Sequence, residues 1–320
     1  MFVLIYVDDL LLASDSDDFI KTFKVTISRR FNIIDLGVSK RFLGMEINYN
    51  VKNQVMTLSQ AQFIDKVASR FNVTGAKKVY TPIEVDLQLE KSEECNVNLP
   101  FRQLVGCLLY ISIISRPDIS FAVHYFSRFM NAYSSEHFSY LKRVLVYLVH
   151  TKHLKLTYTA SSLEGVLECF VDADWAADHL DRKSTSGSVV RLFHNVISWN
   201  SKKQTCITLS STESEYVSLS CFVHDVLFWI TGILKEFQVE VPEPVFIFED
   251  NQAVIHLSKN PITSKRSKHI DVRYKFVKEL VLENKIHLVY TATADQAADG
   301  FTKALVRVKF ESFRRLLRIE

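Results

Sequence analysis

The chain has 320 residues, 48% of them hydrophobic and 23% charged, enough apolar material for about two globular domains. Its five cysteines show no CxxC spacing, which argues against a disulfide framework or a structural zinc site and fits a reducing intracellular compartment, cytoplasm or nucleus. The formal net charge is only +3, but residues 259–320 carry 14 basic against 7 acidic side chains, so that end is the one suited to meet a polyanion.

At the N-terminus, residues 2–7 and 10–13 are apolar runs around Asp8-Asp9, the pattern of a β-hairpin with acids at its tip. The stretch lacks the basic start of a signal peptide. No segment reaches the roughly 18 unbroken apolar residues of a membrane helix, so no membrane partner is expected. Phe19, Phe23 and Ile27 predict a helix from Asp17 to Phe31. A second hairpin is expected over Phe42–Asn48 and Gln54–Leu58, then a helix from Ser59 to Phe71. Residues 75–100 mix Gly, Pro and acids without period and read as a connecting loop. Helices follow over 101–115, 118–131 and 135–149, with Pro117 at a helix start. Residues 151–165 read as a boundary.

Beyond it the pattern predicts strands at 166–172, 186–192 and 195–200, a long helix at 211–235, and a strand at 245–249. Helices at 251–258 and 270–283, a strand at 285–290 and a helix at 295–304 complete the order. Such an order gives a mixed α/β sheet covered by helices. The last stretch, residues 305–320, is basic and amphipathic, with Val308, Phe310, Phe313 and Leu317 on one side, and is expected to dock onto the protein.

Four acids of the second half stand at element ends: Asp172 after an apolar strand, Glu215 in the first turns of the long helix, Asp250 after the next strand, and Asp299 in the last helix. Taken singly, each is an ordinary turn or helix-start residue. Together they suggest a site, because open α/β sheets gather functional groups at the carboxyl ends of neighbouring strands. Converging carboxylates repel unless cations neutralise them, and hard oxygen ligands select Mg²⁺, or Mn²⁺. Two such ions would clamp the attacking and leaving oxygens of a phosphodiester.

The motifs Phe170-Val-Asp-Ala-Asp-Trp-Ala, Asp181-Arg-Lys-Ser-Thr-Ser-Gly, Ser210-Ser-Thr-Glu-Ser-Glu-Tyr, Glu249-Asp-Asn-Gln, Lys268-His-Ile-Asp-Val-Arg-Tyr and Asp295-Gln-Ala-Ala-Asp-Gly-Phe-Thr-Lys resemble, in order and spacing, the ribonuclease H of Ty1/copia retrotransposons. In the first half, Tyr6-Val-Asp-Asp resembles the catalytic hairpin of a reverse transcriptase. Asp35-Leu-Gly, Phe42-Leu-Gly, Leu58-Ser-Gln, Leu104-Val-Gly-Cys-Leu-Leu-Tyr and Ser115-Arg-Pro-Asp-Ile resemble the copia-type palm and thumb.

The resemblance implies a truncated α+β reverse-transcriptase palm (1–58), a helical thumb/connection region (59–155), a ribonuclease H-like mixed five-stranded sheet with flanking helices (163–304) and the basic tail (305–320). It implies that Asp172, Glu215, Asp250 and Asp299 bind two Mg²⁺ ions and hydrolyse the RNA strand of an RNA–DNA hybrid. Glu213 is the alternative to Glu215, while Asp174 and Asp295 are assigned to turns or helix starts. Asp8 and Asp9 are a polymerase remnant. The upstream palm strand with its own Asp, and the fingers, are missing, so no DNA synthesis is expected from this chain alone.

The sequence departs from the family pattern at Ala177 and Ala304, where Gly and Pro are usual, and at Gly300, where a bulky aliphatic residue is common. A glycine in a last helix would cost about 1 kcal/mol relative to alanine and loosen Asp299. The loop Thr291-Ala-Thr-Ala holds no acid/base histidine. For the hybrid, the candidate contacts are Asn251 and Gln252 beside Asp250, and the basic group Lys265, Arg266, Lys268, His269 and Arg273, which would meet phosphates. Other partners are the rest of the Pol polyprotein or other retrotransposon proteins, since family members work in virus-like particles. The competing reading is an inert or domesticated remnant that binds nucleic acid without cutting it.

Overall fold

The alternating run Leu167-Glu-Cys-Phe-Val-Asp-Ala-Asp is the centre of the second half: alternate side chains point to opposite faces, and both faces are covered. The computed structural model describes residues 1–93, 98–160, 167–259 and 268–320, with the side chains of 268–271 left out. In chain order, a hairpin of β1 (Phe2–Tyr6) and β2 (Asp9–Ala13) leads into α1 (Asp17–Ser28). Strands β3 (Arg41–Phe42), β4 (Met45–Asn50) and β5 (Val55–Ser59) precede α2 (Ala61–Arg70), α3 (Phe101–Ile114), α4 (Ser120–Ser127) and α5 (Ser135–His150). β6 (Leu156–Thr159) returns to pair with β5 and closes the four-stranded sheet β3-β4-β5-β6.

The second half runs β7 (Leu167–Asp174), β8 (Thr185–Leu192), β9 (Asn195–Lys203), α6 (Ser211–Phe222), α7 (Phe228–Glu236), β10 (Val245–Glu249), α8 (Gln252–Lys259), α9 (Lys268–Leu282), β11 (Ile286–Tyr290) and α10 (Arg307–Leu316). Its five strands form one sheet in the order β11-β10-β7-β8-β9. β7, β8 and β9 are antiparallel neighbours, while β10 pairs in parallel with both β7 and β11. This is the ribonuclease H-like mixed five-stranded sheet expected from the sequence. The predicted long helix is present but carries a π-turn at Val223–Leu227, between α6 and α7. Its span, Ser211–Glu236, is long and apolar enough to cross a membrane by composition, yet half of its most apolar window is buried and α6 packs on β7.

Two hydrophobic clusters cover the sheet. On one face Cys169 and Val171 of β7 pack with Tyr216, Leu219, Val223, Ile247 and Val277. On the other, Phe170, Val189 and Val196 join a cluster that runs through the helices of the first half and on to Phe301, Phe310 and Leu317. A buried ion pair sits in that second cluster. Arg116 bonds Asp118 through two nitrogens, at 2.9 and 2.7 Å, Tyr147 donates to the same carboxylate at 2.6 Å, and the Phe310 ring lies edge-on to Tyr147. The N-terminal hairpin is different. β1, β2 and α1 carry no buried residue, and Phe2 touches Phe237 at the end of α7.

Three expectations are corrected and one, for the C-terminal stretch, is met. The first helix ends at Ser28 rather than Phe31. Residues 151–165, read as a boundary, contain strand β6, and Glu320 exchanges two backbone hydrogen bonds with Lys155 beside it. The C-terminal stretch docks onto the protein as expected, with Phe310, Phe313, Leu317 and Ile319 buried. The helix expected at 295–304 does not form. The side-chain amide of Gln296 instead donates to the carbonyls of Val171 and Phe248, tying this segment to the ends of β7 and β10, and a 3-10 turn spans Asp299–Phe301.

That turn explains Gly300. A Cβ placed there would lie 2.5 Å from the Phe313 ring, so the glycine lets α10 pack directly behind Asp299. Helix propensity would favour alanine by about 1 kcal/mol. We expect the reverse: Gly300→Ala should destabilise the protein by about 1–3 kcal/mol in urea unfolding, the cost of overpacking. A rise in stability would show that Phe313 yields without cost.

Candidate active site

Register places the first two acids. Phe246, Ile247 and Phe248 of β10 lie beside Glu168, Cys169 and Phe170 of β7 in a parallel pairing, and two residues further along each chain stand Asp250 and Asp172. Asp172 is buried within β7. Its carboxylate accepts from the Thr302 hydroxyl at 2.6 Å, and its backbone carbonyl accepts from Ser218 of α6 at 2.9 Å. Asp250 accepts from Thr293 at 2.8 Å. Its neighbour Asn251 receives the Ala253 N–H on its side-chain oxygen at 3.0 Å and so starts α8.

The third acid comes from the first turn and a half of α6. Ser210 caps this helix by accepting from the Glu213 N–H, and the Glu213 carboxylate accepts from the Leu209 N–H at 2.8 Å, a reciprocal arrangement of the capping-box kind. Glu213 is therefore engaged in the helix start. Glu215, two residues on, reaches the other acids: one carboxylate oxygen each of Asp172, Glu215 and Asp250 lies within 4.8 Å of the others. Among the described residues this is the one group of three or more candidate ligand side chains that converges, and Asp8 and Asp9 stand apart from it.

The structure does not bring Asp299 into that triad. It is buried beside it, with its Oδ1 2.6 Å from the ammonium of Lys303. Gly187 makes this approach possible. It lies directly across from Asp172 on β8, and a Cβ there would meet Thr302 at 2.7 Å, the Ala298 carbonyl at 2.8 Å and Phe301 at 2.9 Å. The missing side chain lets the segment 298–302 lie flat on the sheet next to Asp172.

Burial and mutual repulsion shape the charges. Burial first, then Asp299 and Asp250, push the Asp172 carboxyl up to about 7 against the opposing pull of Lys303 and Thr302. Glu215 is held well above the ordinary range by burial and by Asp172, Glu249 and Asp250. Asp174 is raised by burial, with Lys303 opposing. Glu249 is a residue that the sequence reading does not single out. It is fully buried, and burial holds its carboxyl well above the usual range, with Asp172 and Asp250 adding to that. The strand pattern carries a signal for it: Val245, Ile247 and Glu249 share one phase, so an acid stands where apolar residues point inward.

One oxygen of Glu215 and one of Glu249 are buried without a hydrogen-bond partner. Buried carboxylate oxygens without donors are costly. Oxygen-only donors, three of them converging and one with a free buried atom, fit a hard divalent cation held by Asp172, Glu215 and Asp250. Of the expected substrate contacts, Arg273 of α9 donates to Ser220 and Cys221 of α6 at 3.2 and 3.0 Å. It is thus anchored in the helix layer. Gln252 is exposed at the start of α8. Lys265 and Arg266 lie outside the described residues, as do the side chains of Lys268 and His269.

Residues 1–85 match the family described as reverse transcriptase (RNA-dependent DNA polymerase). The chain is 35% identical to the retrovirus-related Pol polyprotein from transposon TNT 1-94 of Nicotiana tabacum, over 99% of this chain and 24% of that protein. It is 32% identical to a putative transposon Ty5-1 protein of Saccharomyces cerevisiae, over 71% of this chain and 74% of that one. Among solved structures, a foamy viral protease-reverse transcriptase in complex with RNA/DNA hybrid aligns at 13% identity and a TM-score of 0.47, over 91% of this chain and 36% of that chain. The chain thus spans about a quarter of the length of the polyprotein from TNT 1-94 and most of the length of the Ty5-1 relative. The chain belongs to the Pol polyprotein family of copia-type retrotransposons.

Proposed function

We propose that this chain is a ribonuclease H, hydrolysing the RNA strand of RNA–DNA hybrids with Mg²⁺, or Mn²⁺, as the metal. The observation that carries this reading is the convergence of Asp172, Glu215 and Asp250 within 4.8 Å at the carboxyl ends of two parallel strands. A divalent cation bound there would polarise the phosphodiester and lower the pKa of an attacking water. The chain's own part is to hold the ligands. Thr302 fixes the rotamer of Asp172, Thr293 that of Asp250, and the capped start of α6 sets the reach of Glu215. The hybrid's backbone is assigned to Lys265, Arg266, Lys268 and His269 before and at the start of α9, with Asn251 and Gln252 beside the acids. Work inside a reducing compartment suits the free thiols of Cys107, Cys169, Cys206 and Cys221. The rest of the Pol polyprotein is the natural partner chain.

Three measurements test this reading. Asp172→Asn or Asp250→Asn should leave the circular dichroism spectrum intact and reduce Mg²⁺-dependent hybrid cleavage by more than the roughly 10–100-fold typical of losing an outer-shell partner. Full activity in either variant would remove that residue from the site, and binding of hybrid by the wild-type protein without any cleavage would leave a nucleic-acid-binding remnant as the correct description.

The second is pH. Because the folded protein raises the Asp172 carboxyl from its ordinary value of 3.8 to about 7, this group stabilises the fold fully below that ordinary value and loses the contribution as pH rises through 7. In chelator, Asp172→Asn should therefore gain thermal stability over the wild type at pH 8 relative to pH 4, and Mg²⁺ should close the gap. A difference independent of pH would mean that Asp172 is already ionised in the metal-free fold.

Third, alanine at Lys265, Arg266 and Lys268 should weaken hybrid binding for all sequences alike. It should also lower the slope of log affinity against log salt by about one for each phosphate no longer neutralised. An unchanged slope moves the phosphate track elsewhere.

A further inference from the structure

Lys303 is the cation of the site that the carboxylate pattern does not anticipate. Its ammonium lies 2.6 Å from Asp299 Oδ1, and its charge also acts on Asp172 and Asp174. Burial alone would lower its pKa, but Asp172 and the hydrogen bond to Asp299 outweigh this and push it up to about 12, so the group is charged at every pH at which the site would work. The segment that carries Lys303 is bounded from two directions. On one side, Thr302 bonds the Asp172 carboxylate and the Asp299 carbonyl, at 2.6 and 2.9 Å. On the other, Gly300 and Lys303 line the same crevice as Asp118 and Phe310, under α10.

Two divalent ions would each need a share of the acids, and the fourth acid is already neutralised. The converging oxygens belong to Asp172, Glu215 and Asp250, while Asp299 faces an ammonium. A second divalent ion on Asp299 would have to displace Lys303 from an ion pair in which the Asp299 side chain is 10% exposed and the Lys303 side chain 39%. Like charges at that range repel strongly in a partly buried site.

We propose that this site takes one divalent cation, on Asp172, Glu215 and Asp250, and that the Lys303 ammonium, held by Asp299, supplies the second positive charge in place of a second ion. The proposal rests on the ribonuclease H reading for its chemistry, but it concerns the number of ions and can fail alone. Lys303 acts here as a positioning residue for Asp299 and as a fixed charge beside the triad.

The test counts Mn²⁺ bound to the full chain at pH 7.5, by titration calorimetry together with electron paramagnetic resonance of free Mn²⁺. The wild type should bind one ion, and so should Lys303→Arg, which keeps the charge. Lys303→Met, which keeps the alkyl stem and frees Asp299, should bind a second ion, and Lys303→Met with Asp299→Asn should return to one. Two ions on the wild type overturn the proposal even if hybrid cleavage is intact, and that count needs no variant to fold. A single ion on a folded Lys303→Met also overturns it. No ion on the wild type overturns both this proposal and the ribonuclease H reading. Should Lys303→Met unfold, Lys303→Arg still decides: one ion supports the proposal and two refute it.

Discussion

Crowding carboxylates into a region of low dielectric is the constraint around which the second half of this chain is arranged. Left to themselves, Asp172 and Glu215 would hold their protons, because burial and the neighbouring acids both disfavour their charged forms. The parallel pairing of β10 with β7 holds two of them at one level, and the capped helix α6 brings the third from across the strand end. A fold that accepts such repulsion without a cation gives up stability at the place where a ligand would restore it.

The segment after β11 is the second half of that arrangement. It gives up a regular helix so that Gln296 can bond the ends of β7 and β10, Thr302 can bond Asp172, and Lys303 can neutralise Asp299. Two glycines on different elements make this possible by the side chains they lack. Gly187 admits the segment from the sheet side, and Gly300 admits Phe313 from the helix side. What reads in the sequence as a weakened last helix is a thin layer pressed between β8 and α10.

How much of this is legible in the sequence follows from the range of the interactions involved. The strands β7 to β11 and the helices between them are set by local alternation and helical spacing, and their predicted limits match the structure to within about two residues except at β9, which runs on to Lys203. Asp172, Glu215 and Asp250 can be named because they stand at the ends of such elements. Spacing does not decide between Glu213 and Glu215, since both lie in the first turns of α6; the bond from Leu209 to Glu213 and the convergence of Glu215 with the other acids separate them. Strand β6 escapes a local reading because its partners β5 and Ile319 are far away in sequence. The turn at Asp299 escapes it for the same reason: Phe313 and Gly187, which forbid a side chain at Gly300 or press on its neighbours, carry no mark in the local pattern. Lys303 is visible only as one residue of a motif.

The helices of the first half also bear on the site, through packing rather than through chemistry. The Arg116–Asp118 pair fixes Tyr147, the Tyr147 ring meets Phe310, Phe310 meets Phe313, and Phe313 closes over Gly300 beside Asp299. A buried pair of this kind gives little net stability, but removing one partner leaves a charge without compensation. The motif Ser115-Arg-Pro-Asp-Ile therefore does its work as the far end of a packing chain that terminates at an acid of the site. The hydrophobic cluster that contains it also holds Phe170, two residues from Asp172 on the same strand phase. The helical region of residues 101–150 and the acidic sheet thus share one interior. A change that loosens the first must be felt at the second, whichever part of the chain is assigned the chemistry.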